Sequence, residues 1–329
     1  MDAFIFAAEA VLPIILMIMA GYIFRRIGLM PEQFSSAANK LVFRVLLPCM
    51  LFLGVYRIES IYGIELGFVI YTLVAESVVM LVSFFAVRCF CRVRVRRGVL
   101  MQAAFRSNYA LIGIPLAASL AGDEAVGVVS LLSVIFIPFI NVMSVVVLSV
   151  YGEGKERASV RSILLDVAKN PLIISVLLGV FALCVRAVLT SCGIEARLSD
   201  IKPVYETVEY LADMASPLAL LVLGSRFEFS ALSRLGRDIV LGTVLRTVIA
   251  PAIGIGVAYA FFRDSFTAAH FATFICAFAT PVAVASVVMA EEMGGDYHLA
   301  GQLVVWTCAT SAFMLFIITF LLRASGVFS

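Results

Sequence analysis

Charge is scarce in this sequence. Lys, Arg, Asp and Glu make up 14% of the 329 residues, against 63% hydrophobic ones, whereas a soluble domain carries about a quarter charged residues. Apolar segments of spanning length recur from end to end, so no soluble module of domain size fits between them. Histidine is limited to His270 and His298, and HExxH, GxSxG and Walker phosphate-loop patterns are all missing. A zinc peptidase, a serine hydrolase and an ATP-driven pump each need one of these, so no enzyme and no cofactor is expected. The seven cysteines, at 49, 89, 91, 184, 192, 276 and 308, show no zinc spacing. They read as small hydrophobic residues, with Cys89 and Cys91 juxtamembrane and open to acylation. Rings of like charge and filter-like repeats are also missing, which argues against a passive channel.

What is present is hydropathy. The mean hydropathy is +1.08, and apolar runs with their breakers place ten candidate spans at 4–27, 37–57, 62–87, 99–121, 126–151, 170–192, 207–227, 238–262, 268–291 and 298–322. The amino-terminal run lacks a basic leader and places Arg25 and Arg26 after its apolar core, the pattern of an uncleaved first helix. Fifteen basic residues fall in the odd-numbered connections, among them Arg88, Arg92, Arg94, Arg96, Arg97 and Arg106, against six on the other side. That bias puts the odd connections in the cytoplasm and both termini outside, in the cell inner membrane.

Dividing the chain at the 153–169 connection gives a first five-helix repeat over 1–152 and a second over 170–329. Five is odd, so the two blocks enter the membrane from opposite sides as an inverted repeat. Short echoes agree: LLPCMLFLG (46–54) with SPLALLVLG (216–224), and an interrupted fourth span answering an interrupted ninth. The connection itself carries Val160, Ile163, Leu164 and Val167 on one helical face, an interfacial amphipathic helix that would lie on lipid or on the protein.

The fourth span, SNYALIGIPLAASLAG (107–122), contains Asn108, Gly113 and Pro115, and is expected to break near its middle. The ninth contains Thr280 and Pro281. Pro115 cannot donate to the carbonyl of Leu111, nor Pro281 to that of Ala277. Each proline alone fits a simple kink; two at matching places point to a binding site, because broken helices persist in a membrane only where protein or a watery cavity surrounds them. If the spans cross, the amino ends of both second half-helices meet at the midplane and favour an anion. The carbonyl ends of the first half-helices meet there too, which leaves a cation or proton donor open.

Asn108 and Asn141 either bond between helices or line the cavity; Ser107, Thr280 and Ser286 are lesser candidates of the same kind. Glu76 in the third span and Arg246 in the eighth form a buried ion pair, or Glu76 is a proton-coupling site. Lys40 and Arg44 would snorkel to the surface, and Glu291 and Glu292 would be solvated at the inner end of the ninth span.

The runs RSNYALIGIPL (106–116), KNPLI (169–173), SPLALLVLG (216–224), RTVIAPAIG (246–254) and TPVAVASVVMAEEMGGD (280–296) resemble those of the auxin efflux carrier family. The resemblance covers both halves and implies an all-α membrane protein of ten transmembrane helices in two inverted five-helix repeats. Its crossover helices four and nine are broken, as in bile-acid and sodium/proton carriers. It implies a scaffold of helices one, two, six and seven, commonly dimeric, with the other six as a moving transport domain. Asn108, Gly113, Pro115, Asn141, Thr280 and Pro281 then carry over as the substrate site. The 153–169 connection is short where the plant exporters have a long loop, so a small mono- or dicarboxylate of malate or malonate type is expected rather than auxin. A secondary transporter of elevator type is the reading that follows, with a proton or sodium ion as coupling partner, lipid around it and no nucleic acid. A membrane sensor using the same cavity without transport is the alternative.

Overall fold

The computed structural model describes all residues except 1, 58–64, 155–159, 194–196, 229 and 329, and side chains additionally excepting 2–11, 110, 111 and 160. Within these bounds the fold is helical throughout, with one isolated antiparallel bridge between Ser107 and Val282. In chain order the helices are α1 (Asp2–Arg26), α2 (Glu32–Leu41), α3 (Leu47–Tyr56), α4 (Leu66–Phe90), α5 (Arg94–Phe105), α6 (Ile114–Tyr151), α7 (Val160–Lys169) and α8 (Pro171–Ser191). They continue with α9 (Lys202–Asp213), α10 (Ala215–Ser225), α11 (Ala231–Val244), α12 (Val257–Phe262), α13 (Ala268–Phe278), α14 (Ala285–Glu292) and α15 (Tyr297–Ala324).

Seven helical stretches among the described residues are long and apolar enough to cross a membrane: Glu32–Tyr56, Leu66–Phe90, Ile114–Tyr151, Pro171–Ser191, Lys202–Ser225, Ala231–Ser265 and Tyr297–Ala324. Both interrupted segments fall outside this set as continuous helices, because α5 and α13 stop after 12 and 11 residues. The 38-residue α6 is two arms, since the backbone leaves the helical region at Ala121 and at Gly122, whose φ of 67° suits a residue without a Cβ.

Three wide turns each lie just ahead of a proline: Val42–Leu46 before Pro48, Tyr109–Gly113 before Pro115, and Leu245–Ile249 before Pro251. A proline has no N–H for the carbonyl four residues back and its ring crowds that carbonyl, so the preceding turn opens instead of kinking sharply. Pro115 therefore does not break its segment. The chain is already extended at Arg106 (φ −84°, ψ 90°) and still non-helical at Asn108 (φ −82°, ψ 52°), nine and seven residues before Pro115, which occupies the first turn of α6 where a missing N–H is harmless.

Most of the packing falls into two sets, which are joined where α1 also lies on α15. In one, α1 lies on α10, and α3 on α8 and α9. Gly21 and Gly224 allow the first contact: a Cβ on either would fall 2.2 Å from the Leu221 carbonyl oxygen or 2.0 Å from that of Ile18. In the other set α5 packs on α4 and α6, α13 on α6, and α11 on α15, burying Phe105, Phe136, Phe271, Phe274 and Phe278 almost completely. A cavity lies between the sets.

Candidate functional site

The two interruptions meet. The Asn108 amide donates to the Pro281 carbonyl at 2.8 Å, and the Ala283 amide to the Arg106 carbonyl at 3.1 Å. The Val282 amide donates to Thr307 Oγ1 at 3.1 Å. These bonds partner backbone groups that the ends of α5 and α13 would otherwise leave bare in an apolar medium. The approach is close enough to require a glycine: a Cβ on Gly113 would lie 2.8 Å from that of Cys276, whose thiol donates to the Gly113 carbonyl at 2.9 Å.

Carbonyls ending the first half-helices face one side of this crossing. There Arg246, fully buried, donates from Nη2 to the Ala277 carbonyl and from Nε to that of Thr280, both at 2.8 Å, and from Nη1 to that of Ala104 at 3.2 Å. Ala277 is the residue whose carbonyl Pro281 deprives of its helical partner, and Arg246 supplies the missing donor. One guanidinium thus neutralises the negative ends of α5 and α13 together. It makes no salt bridge with Glu76 within 4.0 Å, and both Glu76 oxygens are buried without a hydrogen-bond partner among the described residues.

Residues following each interruption face the other side, where a cavity of about 300 Å³ is lined by Arg106, Ser107 and Asn108, by Asn141 of α6, and by Ala283, Val284 and Ala285 at the start of α14. With the carbonyl ends bound to Arg246, the cavity receives the amino ends. Its polar inventory is incomplete: Arg106 Nε, Ser107 Oγ, Asn108 Nδ2 and Asn141 Oδ1 are all buried with no partner among the described residues. Arg106 is 5% exposed and makes one side-chain bond, from Nη1 to Ser144 Oγ at 3.1 Å. Buried polar atoms are nearly always paired, so a cluster of four unpaired ones marks a place where something else binds.

Of the residues expected at the site, Asn108 and Asn141 line this cavity. Gly113, Thr280 and Pro281 build the crossing behind it; Thr280 bonds through Oγ1 to the Cys276 carbonyl at 2.8 Å. Pro115 is exposed and is not among the residues lining the cavity. Sequence reasoning missed Arg106, counting it among the basic residues of a cytoplasmic connection, because the break was expected several residues later. Its position directly before Ser107 and Asn108 was the available signal.

From the crossing the cavity extends along α3 and α9 to the exposed residues Arg57 and Asp213. The opposite end of the stretch Glu32–Tyr56, where Lys202–Ser225 finishes, is closed by charges. Arg226, after α10, binds Glu291 at the end of α14 and lies 3.3 Å from Glu32 at the start of α2. Asn39 Nδ2 donates to Glu292 at 3.2 Å, and the hydroxyls of Ser35 and Ser225 share a bond of 2.8 Å. Glu291 is thus an ion-paired carboxylate, its side chain 18% exposed, rather than a solvated one.

A helical, membrane-spanning chain with a cavity that gathers buried polar side chains at the meeting of two interrupted helices is built as a membrane transport protein. Residues 6–319 match the family model described as membrane transport protein, and the chain belongs to that family, the auxin efflux carriers. It is similar to an uncharacterized transporter of Methanothermobacter thermautotrophicus, 22% identical over 312 residues that cover 91% of this chain and 93% of the relative. It is also similar to one of Methanocaldococcus jannaschii, 23% identical over 254 residues, covering 74% and 76%.

Proposed function

We propose that this chain is a secondary transporter of small organic anions that works by elevator-type alternating access. The observation that carries the reading is the cavity at the crossing, where the side chains of a buried arginine, Arg106, and of Asn108 keep donors without a partner among the described residues, beside the start of α14, while the carbonyl ends are bound by Arg246. Ten spans in two inverted five-helix repeats account for the meeting of the two interruptions, with α5 to the first arm of α6 as one crossover and α13 to α14 as the other. The set containing α1, α3, α8 and α10 serves as scaffold and dimer interface; the set holding the crossing moves. By the charge bias of the connections, the end with Arg57 and Asp213 faces outside and the end closed by Arg226 and Glu291 faces the cytoplasm. The conformation is then outward-facing, with its cytoplasmic side latched.

Counterflow in proteoliposomes, with a panel of mono- and dicarboxylates, tests this. Saturable exchange of at least one organic anion by the wild type, reduced by about 10-fold or more in Asn108→Ala as one charge-assisted hydrogen bond is lost, is the expected result. No saturable uptake of any organic anion would sink the proposal.

A further inference from the structure

The stretch Ala231–Ser265 and α15 pack together over part of their length and then separate. α11 and the wide turn Leu245–Ile249 lie on α15. Past Pro251 a further wide turn, Ala252–Gly256, packs on α4 and α13, where the Tyr71 hydroxyl donates to the Gly254 carbonyl at 2.9 Å. Between the diverging spans lies a groove of about 650 Å³ that shares no lining residue with the cavity at the crossing. Its walls are hydrocarbon, with Val248, Ile255, Met314, Ile317 and Leu321 among them. Two glycines there serve different ends. A Cβ on Gly254 would lie 2.1 Å from the Phe278 ring, so packing demands that glycine; a Cβ on Gly256, which lines the groove, would meet nothing within 4 Å. An empty groove forfeits dispersion contacts along its whole lining, and the medium around a spanning helix that can supply them is acyl chain.

One end of the groove is polar and positively charged. Tyr259 and Ser325 line it, and the Arg263 guanidinium holds both, donating from Nη1 to Tyr259 Oη at 3.3 Å and from Nη2 to the Ser325 carbonyl. Both acceptors are neutral. Arg263 is exposed, as is Arg323, which sits between the groove residues Leu322 and Ala324, and neither makes a salt bridge within 4.0 Å to a described carboxylate. Asp264, beside Arg263, offsets one of the two charges and leaves the other. A tyrosine and arginines where a span leaves the hydrocarbon stand at headgroup level, and a basic side chain there attracts anionic lipid. We infer that the groove is a binding site for an anionic phospholipid, one acyl chain lying against Gly256 between the two spans and the phosphate beside Arg263 and Arg323. The lipid is then a ligand of the packing set that holds the crossing.

Native mass spectrometry of the detergent-purified full chain, titrated with palmitoyl-oleoyl phosphatidylglycerol and with the matching phosphatidylcholine, reads the tightest lipid-binding event. The wild type is expected to bind the phosphatidylglycerol about 5- to 20-fold more tightly, as one or two arginines beside an anionic headgroup would give. Replacing both arginines, Arg263→Gln with Arg323→Gln, brings the two lipids to within about twofold of each other. Gly256→Leu fills the groove from a position with open space around it and improves helix propensity, so it is expected to unfold at the wild-type temperature or above and to weaken both lipids by about 10-fold. Ala252→Leu, from an exposed position on the same wall, serves if Gly256→Leu does not fold. Glycerol phosphate, which carries the charge without the chain, is expected not to compete. Equal binding of the two lipids by the wild type, an undiminished affinity in a folded groove-filling variant, a preference that survives loss of both arginines, or displacement by glycerol phosphate at equal concentration overturns the inference.

Discussion

Arg246 and Glu76 show how much a buried charge depends on its neighbours. Arg246 is tolerated because its donors meet carbonyls that two helix ends have left free. Replacing it by Met removes the charge and strands three acceptors at about 1–3 kcal/mol each. The expected outcome for Arg246→Met is a large drop in unfolding temperature, or loss of the monodisperse peak in detergent chromatography, beyond that caused by Asn108→Ala. Glu76 has no hydrogen-bond partner for either oxygen among the described residues, so Glu76→Gln removes the titratable group at little cost in shape. If the carrier is proton-coupled through Glu76, this variant folds as well as the wild type and still exchanges substrate, but an imposed pH gradient no longer drives accumulation. Accumulation that survives the substitution would assign coupling elsewhere.

Among the elements, the crossing depends on how near two helical segments can come. Gly113 faces Cys276 with no room for a methyl group, the contacting atom being a Cβ rather than the end of a flexible side chain. Gly113→Ala is expected to destabilise by about 1–3 kcal/mol, the usual consequence of overfilling a packed contact, and Cys276→Gly in the same chain should recover part of it. Thermal unfolding of the two single variants and the double variant measures this coupling. Spans were legible at this scale and breaks less so. Hydropathy marked both interrupted segments, yet the interruption at Arg106 to Asn108 carries no proline or glycine, and Pro115, which drew the expectation, is accommodated at a helix start and on an exposed face. A proline announces the loss of one hydrogen bond; where the backbone leaves the helix is decided by the strand-like bonds that Arg106 and Asn108 make with Ala283 and Pro281.

For the whole molecule, alternating access requires two states separated by a few kcal/mol. The stretch Glu32–Tyr56, which ends beside Arg57 at the mouth of the cavity, starts at Glu32 about 36 Å away for its 24 residue steps, and Asn39 and Ser225 lie toward that far end. Bonds from Arg226 to Glu291 and from Asn39 to Glu292 join the two packing sets there and hold that end shut. Glu291→Gln weakens the latch and is expected to move the population toward a state open on that side. In a chain freed of native cysteines and carrying Ser216→Cys, a membrane-impermeant thiol reagent should label more slowly from the Arg57 side after the substitution. An unchanged or faster rate would show that these bonds do not set the balance.

The sequence by itself determined the solvent this chain lives in, the approximate places of its apolar helices, the family it belongs to, and two asparagines that line one cavity, because those depend on composition and on local pattern. Only the tertiary structure decided which charges do what. Arg106 reads as one more basic residue near a connection, and Arg246 as half of an ion pair; folding brings the first beside Asn108 and Asn141 with no counter-charge and sets the second against the carbonyls of Ala104, Ala277 and Thr280. The reason is that a charge in an apolar medium is governed by atoms within a few ångströms, and around Arg246 those atoms come from residues 31 to 142 positions away in the chain.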